Sequence, residues 1–316
     1  MSGIGVMCPG QGAQFLGMGK DVYEAYPEAR DVFDRADRAL AGDLELSRVC
    51  FEGPEDRVNA TDVCQPGILV TSLAILSVLE AHGKLDRSRI TVAAGLSLGE
   101  YSAHVLAGSL AFEDAVRLVR KRGRYMLDAS LSQPSGMLSL LGADRATAEA
   151  IAEKAAPAGI IAVANLNAPG QVVLSGAVEA LDAAERVAPE HGVKRYKRLV
   201  VSGAFHSPIM DPAAEKLEKD LASVEIRPPA FPVVANVTAE PVNDPEDIRS
   251  LLARQVISPV RWEDSVRTMK TMGVTTFIEP GPGKVLAALL KKNDRELRAL
   301  SAATKEDVES FPTNLD

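Results

Sequence analysis

Gly95-Leu96-Ser97-Leu98-Gly99 follows directly on the apolar run Ile90-Thr91-Val92-Ala93-Ala94. A serine held between two glycines at the end of a strand is the pattern of a nucleophile elbow. There a tight strand-to-helix turn pushes the hydroxyl out at the end of a sheet, and the missing Cβ atoms leave room for backbone and substrate. The residues that follow, Glu100 to Ala107, form helix readily, so the N–H of Leu98 falls where a helix N-terminus stabilises an oxyanion. The chemistry on offer is acyl transfer through a covalent serine ester. The same five residues also occur as a plain glycine-rich connection, and the rest of the chain decides between the two.

A serine hydroxyl needs a general base within hydrogen-bond reach, and the candidates are His82, His104, His191 and His206. His104 stands about two helical turns past Ser97, ~10 Å along the axis, too far to reach the hydroxyl. His82 and His191 each precede a glycine at the end of a helical pattern, where a histidine commonly meets the last carbonyls. His206 lies in Ser202-Gly203-Ala204-Phe205-His206-Ser207-Pro208, a loop between an expected strand and a helix beginning near Pro212. Loops at strand ends gather catalytic groups; the alternative is a loop histidine packed under Phe205. No acidic residue stands out in the Ser, Asp, His order of α/β-hydrolases, and a backbone carbonyl could orient the imidazole instead.

The helix expected from about Asp114 to Leu127 carries a third chemical group. At about 100° per residue, Ala115, Leu118, Val119, Arg122 and Met126 share one stripe, with Arg117, Arg120, Lys121 and Arg124 opposite. Arg122 therefore points inward. A guanidinium taken from water demands an anion, so Arg122 is either half of a structural ion pair or the receptor for an anionic ligand. Beside a nucleophilic Ser97 a substrate carboxylate becomes the better account, because the planar fork binds one bidentately.

The elements that must position these groups belong to a chain of 316 residues, long enough for two compact units at about 150 residues each. Charged residues at 25% and hydrophobic ones at 46% are ordinary for a soluble globular protein, and the net charge of −8 argues against non-specific nucleic-acid binding. Cys8, Cys50 and Cys64 are odd in number and show no C-x-x-C spacing, so neither a disulfide framework nor a zinc site is suggested, and a reducing cytoplasm fits. The N-terminus lacks a basic leader and is broken at once by Pro9 and Gly10, unlike a signal peptide. The longest apolar run, Gly67 to Leu79, falls short of the ~20 residues of a membrane span and reads as a buried helix.

A strand over Ile4–Cys8 runs into the loop Pro9-Gly10-Gln11-Gly12-Ala13-Gln14. A dinucleotide loop is excluded because Phe15 stands where the third glycine belongs, and Gly281-Pro282-Gly283-Lys284-Val285 lacks P-loop spacing. Between residues 128 and 198 the pattern gives a strand at Met137–Leu141, a helix at Arg145–Ala155, strands at Ile160–Leu166 and Gln171–Leu174, a helix at Val178–Glu190 and a strand at Val193–Val201. That βαββαβ order is the ferredoxin-like arrangement. Apolar strands resume at Phe231–Asn236 and Thr275–Glu279. The expectation is an α/β protein in which residues 1–127 and 199–316 build a large subdomain with a mostly parallel central sheet and residues 128–198 form an insert. The polar, proline-interrupted end from Thr304 is expected to fray.

Six blocks in this order resemble the malonyl-CoA:acyl-carrier-protein transacylase family, the acyltransferases of fatty-acid and polyketide synthesis. They are Pro9-Gly10-Gln11-Gly12-Ala13-Gln14, Gly95 to Ser102, Arg122-Gly123-Arg124-Tyr125-Met126, Gly203-Ala204-Phe205-His206-Ser207, Gln255 to Trp262 and Gly281 to Leu286. The resemblance runs to roughly residue 300 and implies a hydrolase-like core carrying a ferredoxin-like insert. It implies that Ser97 is acylated, that His206 is its base, and that the main-chain N–H groups of Gln11 and Leu98 form the oxyanion hole. Arg122 would clamp the free malonyl carboxylate, and the backbone carbonyl of Gln255 would hold the histidine. Phe205 resembles malonyl-using rather than methylmalonyl-using members. Leu96 departs from the family, many of whose members have histidine there, and leaves fine acyl preference open.

The function so implied is ping-pong transfer of malonyl from malonyl-CoA to the phosphopantetheine thiol of an acyl carrier protein, with no metal or redox cofactor and with a monomer as the acting unit. The carrier is expected to be acidic, which makes Lys194, Arg195, Lys197 and Arg198 a candidate docking patch, against the reading of a solvated edge. The rivals are a serine hydrolase or thioesterase, a trans-acting polyketide synthase acyltransferase with another acyl preference, and a non-catalytic scaffold subunit.

Overall fold

The runs Ile4–Cys8 (β1) and Ile90–Gly95 (β2) are apolar almost throughout, as strands covered on both faces must be, and they pair in parallel at the centre of a sheet. The computed structural model describes residues 3–315. Its remaining strands are β3 (Ser135–Leu141), β4 (Ile161–Ala168), β5 (Gln171–Ala177), β6 (Arg195–Arg198), β7 (Val233–Val234), β8 (Pro241–Val242), β9 (Thr276–Pro280) and β10 (Arg298–Ala302). One sheet has the order β10-β9-β1-β2-β7-β8 and is parallel except for β8. The other, β4-β5-β3-β6, is antiparallel throughout. The α/β class expected from the sequence is therefore present, as a mostly parallel sheet and a second, antiparallel one.

The apolar run at Gly67–Leu79 belongs to a longer helix, Thr61–Ala81, which by length and composition alone would cross a membrane; 94% of its most apolar stretch is buried inside the protein. Pro66 inside this helix has no N–H to give the carbonyl of Asp62. The guanidinium of Arg120 supplies the missing donor, its Nη1 lying 2.7 Å from Asp62 O and 2.5 Å from Asp62 Oδ2, while its Nε meets Asp43 Oδ2 at 2.9 Å. Arg120 was expected on the solvent side of its helix, and this is a correction. Phe112–Ser130 is covered on a second face, where Asp43 and Asp62 neutralise a buried charge. Gly123 allows the two helices to cross closely, since a Cβ there would lie 2.6 Å from Thr61 O.

Several boundaries shift by one to three residues, and four differences have local reasons. The helix from Val178 ends at Val187 and continues to His191 as a tighter turn carrying Pro189. The last strand of the antiparallel sheet covers only Arg195–Arg198. After a final bond from Leu199 N to Met137 O at 3.0 Å the chain turns away, leaving Val200 exposed and carrying Gly203–His206 toward the elbow. The run at Phe231–Asn236 pairs as strand only over Val233–Val234, because Pro232 cannot donate and Asn236 is engaged elsewhere. The C-terminal segment, expected to fray, is a helix over Lys305–Ser310 with Thr304 as its cap, and Val308, Phe311 and Leu315 are buried beneath it.

A segment outside both sheets is tied by backbone to the antiparallel one. Val260 N donates to Ala164 O at 2.8 Å, and Leu166 N to Val260 O at 2.9 Å, so the segment after Gln255 is hydrogen-bonded to β4 like a short extra strand.

Candidate active site

The elbow is built by exclusion. A Cβ at Gly95 would lie 1.9 Å from the Gly99 carbonyl carbon, and one at Gly99 would lie 2.0 Å from Cys8 O, so no side chain fits at either position. Between them Ser97 adopts φ +53°, a left-handed conformation that a non-glycine residue keeps only when its surroundings hold it. Asn236 does much of that holding. Its Oδ1 accepts from Ser97 N at 2.7 Å, and its Nδ2 donates to Gly95 O at 2.7 Å.

His206, also at positive φ (+59°), sets Nε2 2.8 Å from Ser97 Oγ. Its Nδ1 lies 2.9 Å from Gln255 O and 3.1 Å from Ser258 O. Both carbonyls can only accept, so Nδ1 carries the proton and Nε2 is left to receive one from the serine. Burial, followed by the neighbouring Arg122 charge, pushes the imidazole pKa down to about 4. In solution the His206 imidazole of the ligand-free protein is thus expected to titrate near pH 4. Histidine NMR, with His206→Asn to assign the signal, checks this, and a midpoint at the ordinary ~6.5 would refute it. Because the unfolded chain binds this proton more readily, His206 withdraws stability as pH falls from ~6.5 toward 4.

The other histidines stay apart from the serine. His104 is buried with Nδ1 2.9 Å from Ser109 Oγ, His82 caps its helix beside Tyr26 and Glu28, and His191 lies in the turn after the Val178 helix.

Arg122 is 1% exposed and faces the serine. Its Nη2 lies 3.1 Å from Ser97 Oγ and 2.9 Å from Gln255 Oε1, Nη1 lies 2.6 Å from Gln65 Oε1, and the guanidinium sits 5.5 Å from the Tyr101 ring centroid. Among the described residues no carboxylate forms an ion pair with it, and its Nε has no partner. Burial holds its pKa below the usual arginine value. Of the two readings of an inward arginine, the structural ion pair thus finds no counterion, whereas Arg120 on the same helix has two.

Serine, imidazole and guanidinium line one cavity of about 200 Å³, together with Gln11, Leu98 and Phe205 from the large-sheet side and Met137, Asn165 and Val173 from the antiparallel sheet. The backbone N–H groups of Gln11 and Leu98 meet no acceptor among the described residues, as donors reserved for a ligand would. The Gln11 side chain is tied back to Thr61 Oγ1 at 3.2 Å. The basic residues of β6 are not part of this cavity. Arg198 pairs with Asp182 and Glu185, and Arg195 lines a separate groove with Lys291, Lys292 and Arg295. Gln171 lines both spaces.

Sequence reasoning missed Gln65, Glu100, Asn236 and the side chain of Gln255. Only Glu100, adjoining the elbow, carried a local signal. Among the described residues no group of three or more His, Cys, Asp or Glu side chains could hold a metal ion.

Residues 6–312 match the family described as the acyl transferase domain. A malonyl CoA-acyl carrier protein transacylase of Bacillus subtilis (strain 168) is 44% identical over 312 residues, covering 98% of this chain and 96% of the relative. Among solved structures, the malonyl CoA-acyl carrier protein transacylase of Coxiella burnetii superposes with a TM-score of 0.94 at 38% identity, covering 99% of this chain and 98% of that one. A structure described as a type II PKS acyl-carrier protein in complex with its malonyl-transacylase aligns with a TM-score of 0.93 at 36% identity, covering 98% and 99% of the two chains.

Proposed function

The chain belongs to the acyl transferase domain family, and we propose that it moves a malonyl group from malonyl-CoA to the phosphopantetheine thiol of an acyl carrier protein. This is the activity and the partner that its relatives' names carry. Ser97 Oγ attacks the thioester carbonyl as its proton passes to His206 Nε2, and the tetrahedral oxyanion is met by the N–H groups of Gln11 and Leu98. The carbon–sulfur bond breaks, and the imidazolium returns its proton to the departing thiolate of coenzyme A. In the second half the carrier thiol gives its proton to His206 and attacks the ester, and Ser97 leaves with that proton.

The observation that carries this reading is Arg122, a buried cation without a carboxylate partner whose Nη2 stands 3.1 Å from Ser97 Oγ. The free carboxylate carbon of a malonyl ester is three bonds from that oxygen, within the fork's reach. The residue roles rest on this geometry together with the family resemblance, and Phe205 at the cavity supports malonyl over a branched acyl group. We read the antiparallel sheet, with its helices Arg145–Ala155 and Val178–Val187 sharing one core, as a ferredoxin-like unit of residues 128–198 inserted in a hydrolase-like core; the order β4-β5-β3-β6 supports it. The reaction as written calls for no metal or redox cofactor and for one chain only. The three buried free cysteines suit a reducing cytoplasm.

Intact-mass spectrometry tests the reaction. Mixing with malonyl-CoA is expected to add one malonyl group, which holo carrier protein then removes far faster than water. Equal loss to water would favour a hydrolase, and no adduct would favour a scaffold.

Carrier docking we assign to Lys194, Arg195 and Lys197, with Arg198 already neutralised by its acidic partners. Support comes from the groove in which Arg195 meets Lys291, Lys292 and Arg295 next to Gln171 of the active-site cavity. The double reversal Lys194→Glu and Arg195→Glu is expected to raise KM for carrier protein about tenfold while leaving Ser97 able to accept malonyl. An unchanged KM would move docking elsewhere.

A further inference from the structure

Glu100 follows the elbow directly, yet its side chain is turned inside, 1% exposed. Its Oε2 accepts from two groups far away in sequence, the Asn236 backbone N–H at 3.1 Å and Gln255 Nε2 at 2.6 Å. Gln255 is committed on every other side. Its Nε2 also donates to Ser97 O at 2.9 Å, its Oε1 accepts from Arg122 Nη2 at 2.9 Å, and its backbone carbonyl accepts from His206.

An amide has two distinguishable ends, and here the partners assign them. A guanidinium only donates and the Ser97 carbonyl only accepts, so Oε1 must face Arg122 and Nε2 must face Ser97 O and Glu100. Flipping the amide would set donor against donor and acceptor against acceptor. Without the Glu100 oxygen, Nε2 keeps only the Ser97 carbonyl, and Oε1 is no longer held against the guanidinium from behind. The indirect route also matters. A carboxylate touching Arg122 would neutralise the fork and compete with an anionic acyl group, whereas one placed an amide away steadies the fork, keeps its charge and leaves its remaining N–H groups for the ligand.

We propose that Glu100 is a positioning residue for acyl selection, acting through the Gln255 amide to fix where the Arg122 fork stands relative to Ser97. The preference for a carboxylate-bearing acyl group then depends on a second carboxyl group that never touches the acyl chain. The inference rests on the malonyl transfer proposed above. Burial pushes the Glu100 carboxyl up to about 7 against the hydrogen bonds it accepts, so an acceptor oxygen at this place is what the arrangement requires, more than a full charge.

The test is the ratio of kcat/KM for malonyl-CoA to that for acetyl-CoA in the wild type, Glu100→Ala and Glu100→Gln, with thermal midpoints recorded alongside. Glu100→Ala is expected to lower the ratio about tenfold, the upper end of what one buried hydrogen bond is worth. Glu100→Gln, which keeps an acceptor oxygen, is expected to hold the ratio within about threefold of wild type. The ratio does not depend on how much of a sample is folded. If Glu100→Ala yields no folded protein, Glu100→Met, which keeps the volume and drops the acceptor, carries the same expectation. Equal losses on both substrates, or a Gln variant as unselective as Ala, would overturn the inference. A wild type that does not discriminate malonyl from acetyl would instead sink the transfer reading itself.

Discussion

Ser97→Ala is expected to take up no malonyl group from malonyl-CoA and to lose transfer by about 10⁵-fold or more, the scale seen when a covalent nucleophile is deleted. The loss belongs to chemistry, because the substitution removes one hydroxyl and little else. The bonds that hold the elbow, from Ser97 N to Asn236 Oδ1, from Asn236 Nδ2 to Gly95 O and from Gln255 Nε2 to Ser97 O, all involve backbone at this turn, and alanine keeps them. Alanine bears the same kind of left-handed φ as serine, so the thermal midpoint should shift little. Binding of malonyl-CoA should persist, since Arg122 Nη2 is released from its contact with the hydroxyl. Intact-mass spectrometry reads the first outcome and calorimetry the last. A malonyl adduct on Ser97→Ala would mean that another group is the nucleophile.

Arg122→Ala is expected to cut the malonyl-to-acetyl ratio of kcat/KM by about 10³-fold. Sites built around a buried polar group reject analogues lacking its partner by up to ~10⁴. Here an acetyl group leaves the fork with nothing but Gln65, Gln255 and the serine hydroxyl. The ratio is the informative quantity, because alanine also opens a cavity and orphans Gln65 Oε1, which lowers both rates. Arg122→Lys should not rescue selectivity, since an ammonium cannot grip a carboxylate with two parallel bonds. A ratio unchanged in Arg122→Ala would leave the buried cation without a role in choosing substrate.

Much of this site was legible in the chain. Ser97 was visible because an elbow announces itself in five residues, its glycines forced by close backbone approach within the turn and to Cys8 of β1. Arg122 was visible because helical periodicity carries a residue to the inner face whatever lies there. The same reasoning failed for Arg120, two residues away on the same helix, because one apolar stripe says nothing about a second partner approaching the polar side. Asn236 and Gln65 were illegible for a different reason. Each acts across a sequence separation that only the fold closes, Gln65 by the crossing of two helices and Asn236 by the sheet, and in the chain Asn236 looks like any residue that ends a strand. The chain offered no acidic partner for His206, and its Nδ1 meets the carbonyls of Gln255 and Ser258 instead, which carry no side-chain signature at all. At the C-terminus the polar residues around them and Pro312 hid Val308, Phe311 and Leu315, although their i, i+3, i+7 spacing is that of one apolar face.

The bonds between Val260 and the β4 residues Ala164 and Leu166 lie only a few residues from the carbonyls that grip His206. Swapping or deleting the four-stranded unit as a cassette would therefore cut the seam that anchors this segment. Chimeras that exchange this unit between relatives need to inherit both edges of that seam from one parent, or the imidazole will lose its aim even though every side chain lining the cavity has been kept.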